Sequence, residues 1–343
     1  MAKVRGFSRL HAEEPQTSEK RGLRYPLFAL SETEEKNRTA RNTAMAIPEA
    51  QLDTWSGRGA IASSAAAYSS VKAALSTPRS KILALNTEVY LQGSYRNATN
   101  IYGDSDVDIV VQMNSVFQRD LSALDERQRA IEDSSYPNAR YGWHNFRADV
   151  LQALQDYYGN ATVHASDRCI KVDTGPGRIK ADVIPALQFR KYDYFYSASV
   201  ESHKEGIRFL TSAGVPIVNF PKQHIANGEA KNAEARTNGW YKPTVRIFKN
   251  ARNRLIDHGL IPKDSCPSYS LECLVYNALD SCFGNTYQNT YANVWSYLWT
   301  LPFINCVCQN EIVPLFGTSP VQWSTDAATR FLIGLRDLWN NWG

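Results

Sequence analysis

The 343-residue sequence predicts an α+β fold, with a mixed sheet in its first half and a helical lobe in its second. Three observations carry this. Short strand-like runs stand at 88–91, 106–113 and 178–184, the second of them rich in β-branched residues. Beyond about residue 205 apolar residues recur at helical spacing. A hydrophobic content of 43% over this length suffices to bury one large core or two linked ones.

The elements follow in chain order. Residues 1–44 are polar, lack sustained apolar periodicity, and read as a disordered extension; Met45 is a second candidate start. The spacing predicts a helix over Trp55–Leu75, ending before Pro78. Glu88–Leu91 reads as a strand that ends at Gly93-Ser94, and Asp106–Met113 as a second strand. Leu121–Ser134 and Trp143–Tyr158 read as helices. A hairpin is predicted from Cys169–Asp173, a turn at Thr174–Gly177, and Arg178–Ile184, with a further strand over Gln188–Tyr196. Residues 219–238 form a polar stretch that reads as a long loop. Tyr241–Asp257, Leu271–Cys282 and Ala327–Trp339 read as helices. The expected division is an extension over 1–44, an α/β core over 45–204 and a helical lobe over 205–343.

Composition excludes several classes. No apolar run approaches the ~18 residues of a membrane span, and the N-terminus lacks the apolar region of a signal peptide. The expectation is a cytoplasmic protein with no membrane partner. The six cysteines form no C-x-x-C pair and the six histidines lie far from any cysteine pair, which argues for reduced, buried thiols rather than a zinc site. Of 38 basic and 34 acidic residues, 9 and 6 lie in 1–44, leaving 29 and 28 for 45–343. That balance is too even for a track that grips long nucleic acid.

The chemistry concentrates in Gln92-Gly-Ser-Tyr-Arg-Asn-Ala-Thr-Asn-Ile-Tyr-Gly-Asp-Ser-Asp-Val-Asp-Ile-Val110. Asp106 and Asp108 are two apart on a predicted strand, so both carboxylates leave one face. Such a pair can clamp two Mg²⁺ ions about the reacting oxygens of a phosphoryl displacement. Upstream, Gly93 lets a phosphate approach the backbone, and Ser94 adds a hydroxyl and an N–H donor. A lone D-x-D is more often a turn or a solvated strand face, and Gly-Ser alone means nothing. Their combination, followed by an apolar strand, is far more specific. Asp182 is the third element. An unpaired carboxylate amid an apolar strand is costly to desolvate. Metal coordination beside the other two acids would explain it, as would a salt bridge.

These residues resemble the signature of the polymerase-β-like nucleotidyltransferases, and within them the CD-NTases, the bacterial cyclic GMP–AMP synthase (DncV-like) relatives of anti-phage signalling. Three further stretches carry the resemblance: Met45–Ser56, Lys242-Pro-Thr-Val-Arg-Ile-Phe-Lys249-Asn, and Pro267-Ser-Tyr-Ser-Leu-Glu272. It extends from about Met45 to the C-terminus. It implies a nucleotidyltransferase core with a helical C-terminal lobe, and substrates held between the two. Asp106, Asp108 and Asp182 would hold two Mg²⁺, with Mn²⁺ able to substitute, and Asp182 would help deprotonate the attacking ribose hydroxyl. Gly93, Ser94 and Lys249 would bind the donor triphosphate, with Ser268 in support, and Tyr269 would stack on a base. Lysines and aromatics on amphipathic helices are as often a solvated face and core filling.

The resemblance further implies NTP substrates, a cyclic or short oligonucleotide product read by a downstream effector, and an operon-encoded activator or conjugating enzyme. The terminal Gly343 is compatible with conjugation, although a helix C-cap is the plainer reading. The His/Cys zinc insertion by which the vertebrate enzyme grips DNA has no match here. Two other readings remain: an enzyme that extends RNA or tRNA 3′ ends, which needs the same acids plus a polynucleotide track, and an inactive nucleotide-binding module.

Overall fold

The computed structural model describes residues 46–59, 62–102, 106–175, 180–319 and 322–342. The 1–44 extension, Met45, residues 176–179 at the hairpin turn and Gly343 lie outside the described residues.

Among the described residues one mixed sheet has seven strands: β1 (Thr87–Leu91), β2 (Val107–Asp120), β3 (Val163–Ala165), β4 (Ile170–Val172), β5 (Ala181–Ser197), β6 (Val200–Leu210) and β7 (Pro216–Asn219). The long β5 organises it. Along one edge it pairs in parallel with β2, which in turn pairs antiparallel with β1. Along the other it pairs antiparallel with β4 over Ala181–Val183 and with β6 from Leu187 onward.

The pleat sorts β2 onto two faces. Val107, Ile109, Val111 and Met113 point to one face. There they pack against Ala67, Val71 and Ala74 of α2 (Ala62–Leu75) and against residues of α5 (Trp143–Tyr158). The α5 residues are Phe146, Val150 and Leu154. A shorter α4 (Glu126–Ser135) lies earlier in the chain. On the opposite face Val110 packs with Cys169, Ile184, Ala186, Ile207 and Phe209. That second face carries the site.

The C-terminal half supplies α6 (Pro221–Asn232), α7 (Tyr241–Asp257), α8 (Ser268–Tyr276), α9 (Tyr287–Thr300) and α10 (Thr325–Asn340). Its core joins Val245, Phe248, Leu255, Leu274, Tyr291, Phe331 and Leu335 with Ile47 and Leu52 from the start of the described chain. Leu52 lies on α1 (Glu49–Ser56). The Glu49 carboxylate accepts from the backbone N–H groups of Tyr287 and Gln288 at 2.7 and 2.8 Å, which satisfies orphan donors at the start of α9. Helix α1 is thereby fastened to the C-terminal helices.

Several sequence expectations needed correction. The helix expected over Trp55–Leu75 is two helices, α1 and α2, parted by Gly57-Arg-Gly59. The strand expected over Gln188–Tyr196 is the continuation of β5. The helical pattern expected from residue 205 begins only at Pro221. Residues 205–210 and 216–219 belong to β6 and β7, where Ile207, Phe209 and Ile217 alternate into the core. The polar loop expected over 219–238 contains α6, which Pro221 opens from its first position, where a missing N–H costs nothing. Helix α9 had no sequence expectation. Trp143–Tyr158 and Tyr241–Asp257 form helices with the expected bounds.

Candidate active site

The parallel register of β2 and β5 sets Asp108 directly beside Asp182. Asp106, two residues before Asp108, shares its side of the pleat, while Val107 and Ile109 turn into the core behind. The three acids therefore face the same side of the sheet. Just after β1 the chain enters α3 (Gly93–Asn97), a short helix where a bare strand end was expected. Gln92 N–H donates to the Asp108 carbonyl at 3.0 Å and ties that entry to β2. Gly93 has φ +67°, and a Cβ there would stand 2.1 Å from Asp108 Oδ2. Only a glycine lets the backbone lie against this carboxylate.

Asp182 feels both its burial and its neighbours. Burial raises the Asp182 carboxyl above its ordinary value, and the charge of Asp106 raises it further; a hydrogen bond from the Cys169 thiol and the charges of Lys171 and Lys180 oppose this. Burial, then the nearby Asp182 charge, pushes the Cys169 thiol up to about 12.

The opposite wall comes from the helical half. Ser268 opens α8, and its Oγ accepts from Arg252 Nη1 at 2.8 Å. Tyr269 is 43% exposed and stacks on His224 of α6, with ring centroids 5.2 Å apart and planes at 23°. Its phenol oxygen accepts from Asn310 Nδ2 at 3.3 Å. Lys249 of α7 is only 1% exposed, and its ammonium donates to the Thr99 carbonyl at 3.0 Å. Glu272 lies beneath. Burial opposes its ionisation, but the His224 hydrogen bond, the Lys249 charge and the Thr99 hydroxyl hold its carboxyl at about 2.

A cavity of about 760 Å³ connects the two walls. Gly93, Ser94, Asp106, Asp108, Asp182, Lys249, Ser268 and Tyr269 all line it. Residues from five separate stretches of sequence are brought to one space, of the size that holds small-molecule ligands. Sequence reasoning missed Asn97, Arg168, Cys169, His224 and Glu272, which line it too. Glu272 alone had a usable signal, because it follows Ser268 and Tyr269 by four and three residues on one helix face.

The donor set has the chemistry of a magnesium site, since carboxylate oxygens suit hard cations. A divalent cation would also relieve the repulsion that Asp182 feels from Asp106. Among the described residues, however, no three His, Cys, Asp or Glu side chains stand close enough together to hold a metal as they are placed. All six cysteines are free and buried. Among the described residues no helix is long and apolar enough to cross a membrane.

Comparison with known proteins points one way. A family model described as the cGAS/DncV-like nucleotidyltransferase C-terminal helical domain matches residues 226–340. A cyclic UMP-AMP synthase of Rhodothermus marinus is 45% identical over 303 residues, spanning 87% of this chain and 100% of the relative. The cyclic nucleotide synthase CdnE01 of Staphylococcus haemolyticus is 39% identical over 304 residues, again 87% of this chain and 100% of the relative. Among solved structures, the Rhodothermus marinus CdnE c-UMP-AMP synthase with Apcpp and Upnpp superposes with a TM-score of 0.77 at 44% identity, covering 87% of this chain and 98% of that one.

Proposed function

Because the chain belongs to the cGAS/DncV-like nucleotidyltransferases, with a polymerase-β-like core and a helical C-terminal domain, we propose that it joins NTPs into a cyclic or short oligonucleotide messenger of bacterial anti-phage (CBASS) signalling. One observation carries the assignment to the site. The three acids, the Gly-Ser entry and the Lys249, Ser268 and Tyr269 positions line a single cavity, with Asp108 and Asp182 in register across two strands. The division into a catalytic core and a closing helical lobe is part of this reading.

The residues take the following roles. Ser94 and Lys249 hold the donor triphosphate, and the Gly93 backbone allows its close approach. Ser268, oriented by Arg252, supports the phosphates. The exposed face of Tyr269 stacks on a base, a contact that costs ~1–3 kcal/mol per base to remove. Asp182 accepts the proton of the attacking ribose hydroxyl. Asp106, Asp108 and Asp182 would hold two Mg²⁺, with Mn²⁺ able to substitute. Bound there, the ions would neutralise charge on the attacking and leaving oxygens. An effector reads the product, and an operon-encoded activator or conjugating enzyme switches synthesis.

The test is incubation of the purified chain with all four NTPs and Mg²⁺, phosphatase treatment, and mass spectrometry. The activity named for the Rhodothermus marinus relative makes UTP with ATP the first pair to try. The expected product is small and phosphatase-resistant, because cyclisation leaves no terminal phosphate. Added oligo-RNA is neither extended nor required. Lengthening of RNA without a resistant small product would establish 3′-end tailing instead.

A further inference from the structure

Glu272 is 3% exposed, yet its carboxylate accepts from side chains on two separate parts of the chain. Oε1 accepts from Asn97 Nδ2 at 3.0 Å and from His224 Nε2 at 3.1 Å. Oε2 accepts from Thr99 Oγ1 at 2.7 Å and faces Lys249 Nζ at 3.6 Å. Lys249 also donates to the Thr99 carbonyl at 3.0 Å, closing a triangle among the three residues. A carboxylate only accepts hydrogen bonds, so the Nε2 of His224 that faces it carries the proton.

The positions of these partners give the network its consequence. Asn97 ends α3, the helix that Gly93 and Ser94 begin, and Thr99 lies two residues on. His224 is the ring on which Tyr269 stacks. Lys249 comes from α7, and Glu272 follows Ser268 and Tyr269 by one helical turn of α8. One buried anion thus meets every element that supplies a phosphate or base position on the helical wall, together with the helix that carries Ser94. Charge-assisted bonds of this kind are short and directional, and a low local dielectric strengthens them.

We propose that Glu272 is a positioning residue for nucleotide binding: its carboxylate fixes Lys249, helix α3 and the His224–Tyr269 stack in one register, setting the spacing between the triphosphate and base subsites. The proposal rests on the reading that this cavity binds NTPs. Glu272 touches no substrate in this scheme, since its oxygens are already occupied by Asn97, His224, Thr99 and Lys249.

The decisive variants are Glu272→Gln and Thr99→Val. The first keeps the shape but replaces one acceptor oxygen with an N–H₂ donor that faces other donors. The second removes a single hydroxyl from the same network and leaves the carboxylate in place. Each is compared with the unaltered chain by calorimetric titration with a non-hydrolysable ATP analogue and by steady-state kinetics on the NTP pair that gives product. Expected for Glu272→Gln is a loss of analogue affinity of at least tenfold, with a matching rise in KM for NTP. Thr99→Val shifts both in the same direction by a smaller factor, and decides the matter if Glu272→Gln does not fold. A merely structural role would lower kcat through a smaller active fraction and leave KM and affinity unchanged. That pattern, or unchanged constants in both variants, overturns the proposal. Failure of the unaltered chain to yield any resistant product overturns the functional reading instead, and the analogue titration still decides the role of Glu272.

Discussion

Gly93→Ala separates backbone strain from damage to the acid cluster. An alanine at φ +67° pays roughly 1–2 kcal/mol for the left-handed conformation. Gly214, in the turn between β6 and β7, has φ +78° and nothing within 4 Å of a would-be Cβ, so Gly214→Ala carries the strain alone. At Gly93 the new carbon would stand 2.1 Å from Asp108 Oδ2, whereas a carbon and an oxygen ordinarily rest about 3.3 Å apart or more. The carboxylate must therefore yield by about 1 Å. A displacement of that size in a catalytic group costs on the order of 100-fold in rate, or about 2.7 kcal/mol of barrier. Both variants should lose similar melting temperature, a few degrees at most in a chain of this size. Initial rates of resistant-product formation should fall on the order of 100-fold for Gly93→Ala and stay within about threefold of the unaltered chain for Gly214→Ala, the span assigned to strain alone. Equal rates in the two variants would show that the Gly93–Asp108 approach has no bearing on the reaction.

Two further outcomes follow from the same geometry. Asp106→Ala with Asp108→Ala should abolish product while the far-ultraviolet circular dichroism stays unchanged, because β2 is held by its opposite face; undiminished synthesis would end the nucleotidyltransferase assignment of this site. Asp182→Asn should cut turnover by two orders of magnitude or more with a milder loss of analogue affinity, and should raise the metal-free melting temperature by removing a half-buried charge that Asp106 repels. Retained turnover with a lowered melting temperature would instead mark Asp182 as a structural ion-pair partner.

The sequence by itself determined the class of fold and singled out the candidate site residues. Asp106 and Asp108 are two apart, and the period of a strand places them on one face before any contact is known. The long helices at Trp143–Tyr158 and Tyr241–Asp257 were legible because their apolar residues repeat over several turns. Tertiary structure alone decided how these pieces meet. The adjacency of Asp108 and Asp182 depends on the β2–β5 register, a pairing across seventy-four residues of chain that no local pattern encodes. The end of β6 and all of β7 carry a helical reading in the sequence because a short alternating run beside a helical one leaves the period ambiguous, and only the pairing of β6 with β5 and of β7 with β6 resolves it. The strongest case is Glu272. On α8 it reads as the one charged residue of a mostly apolar helix, a turn beyond Ser268 and Tyr269, while its role comes from partners at positions 97, 99, 224 and 249. A carboxylate can remain charged in a core only when distant donors converge on it, and that convergence is a property of the folded chain.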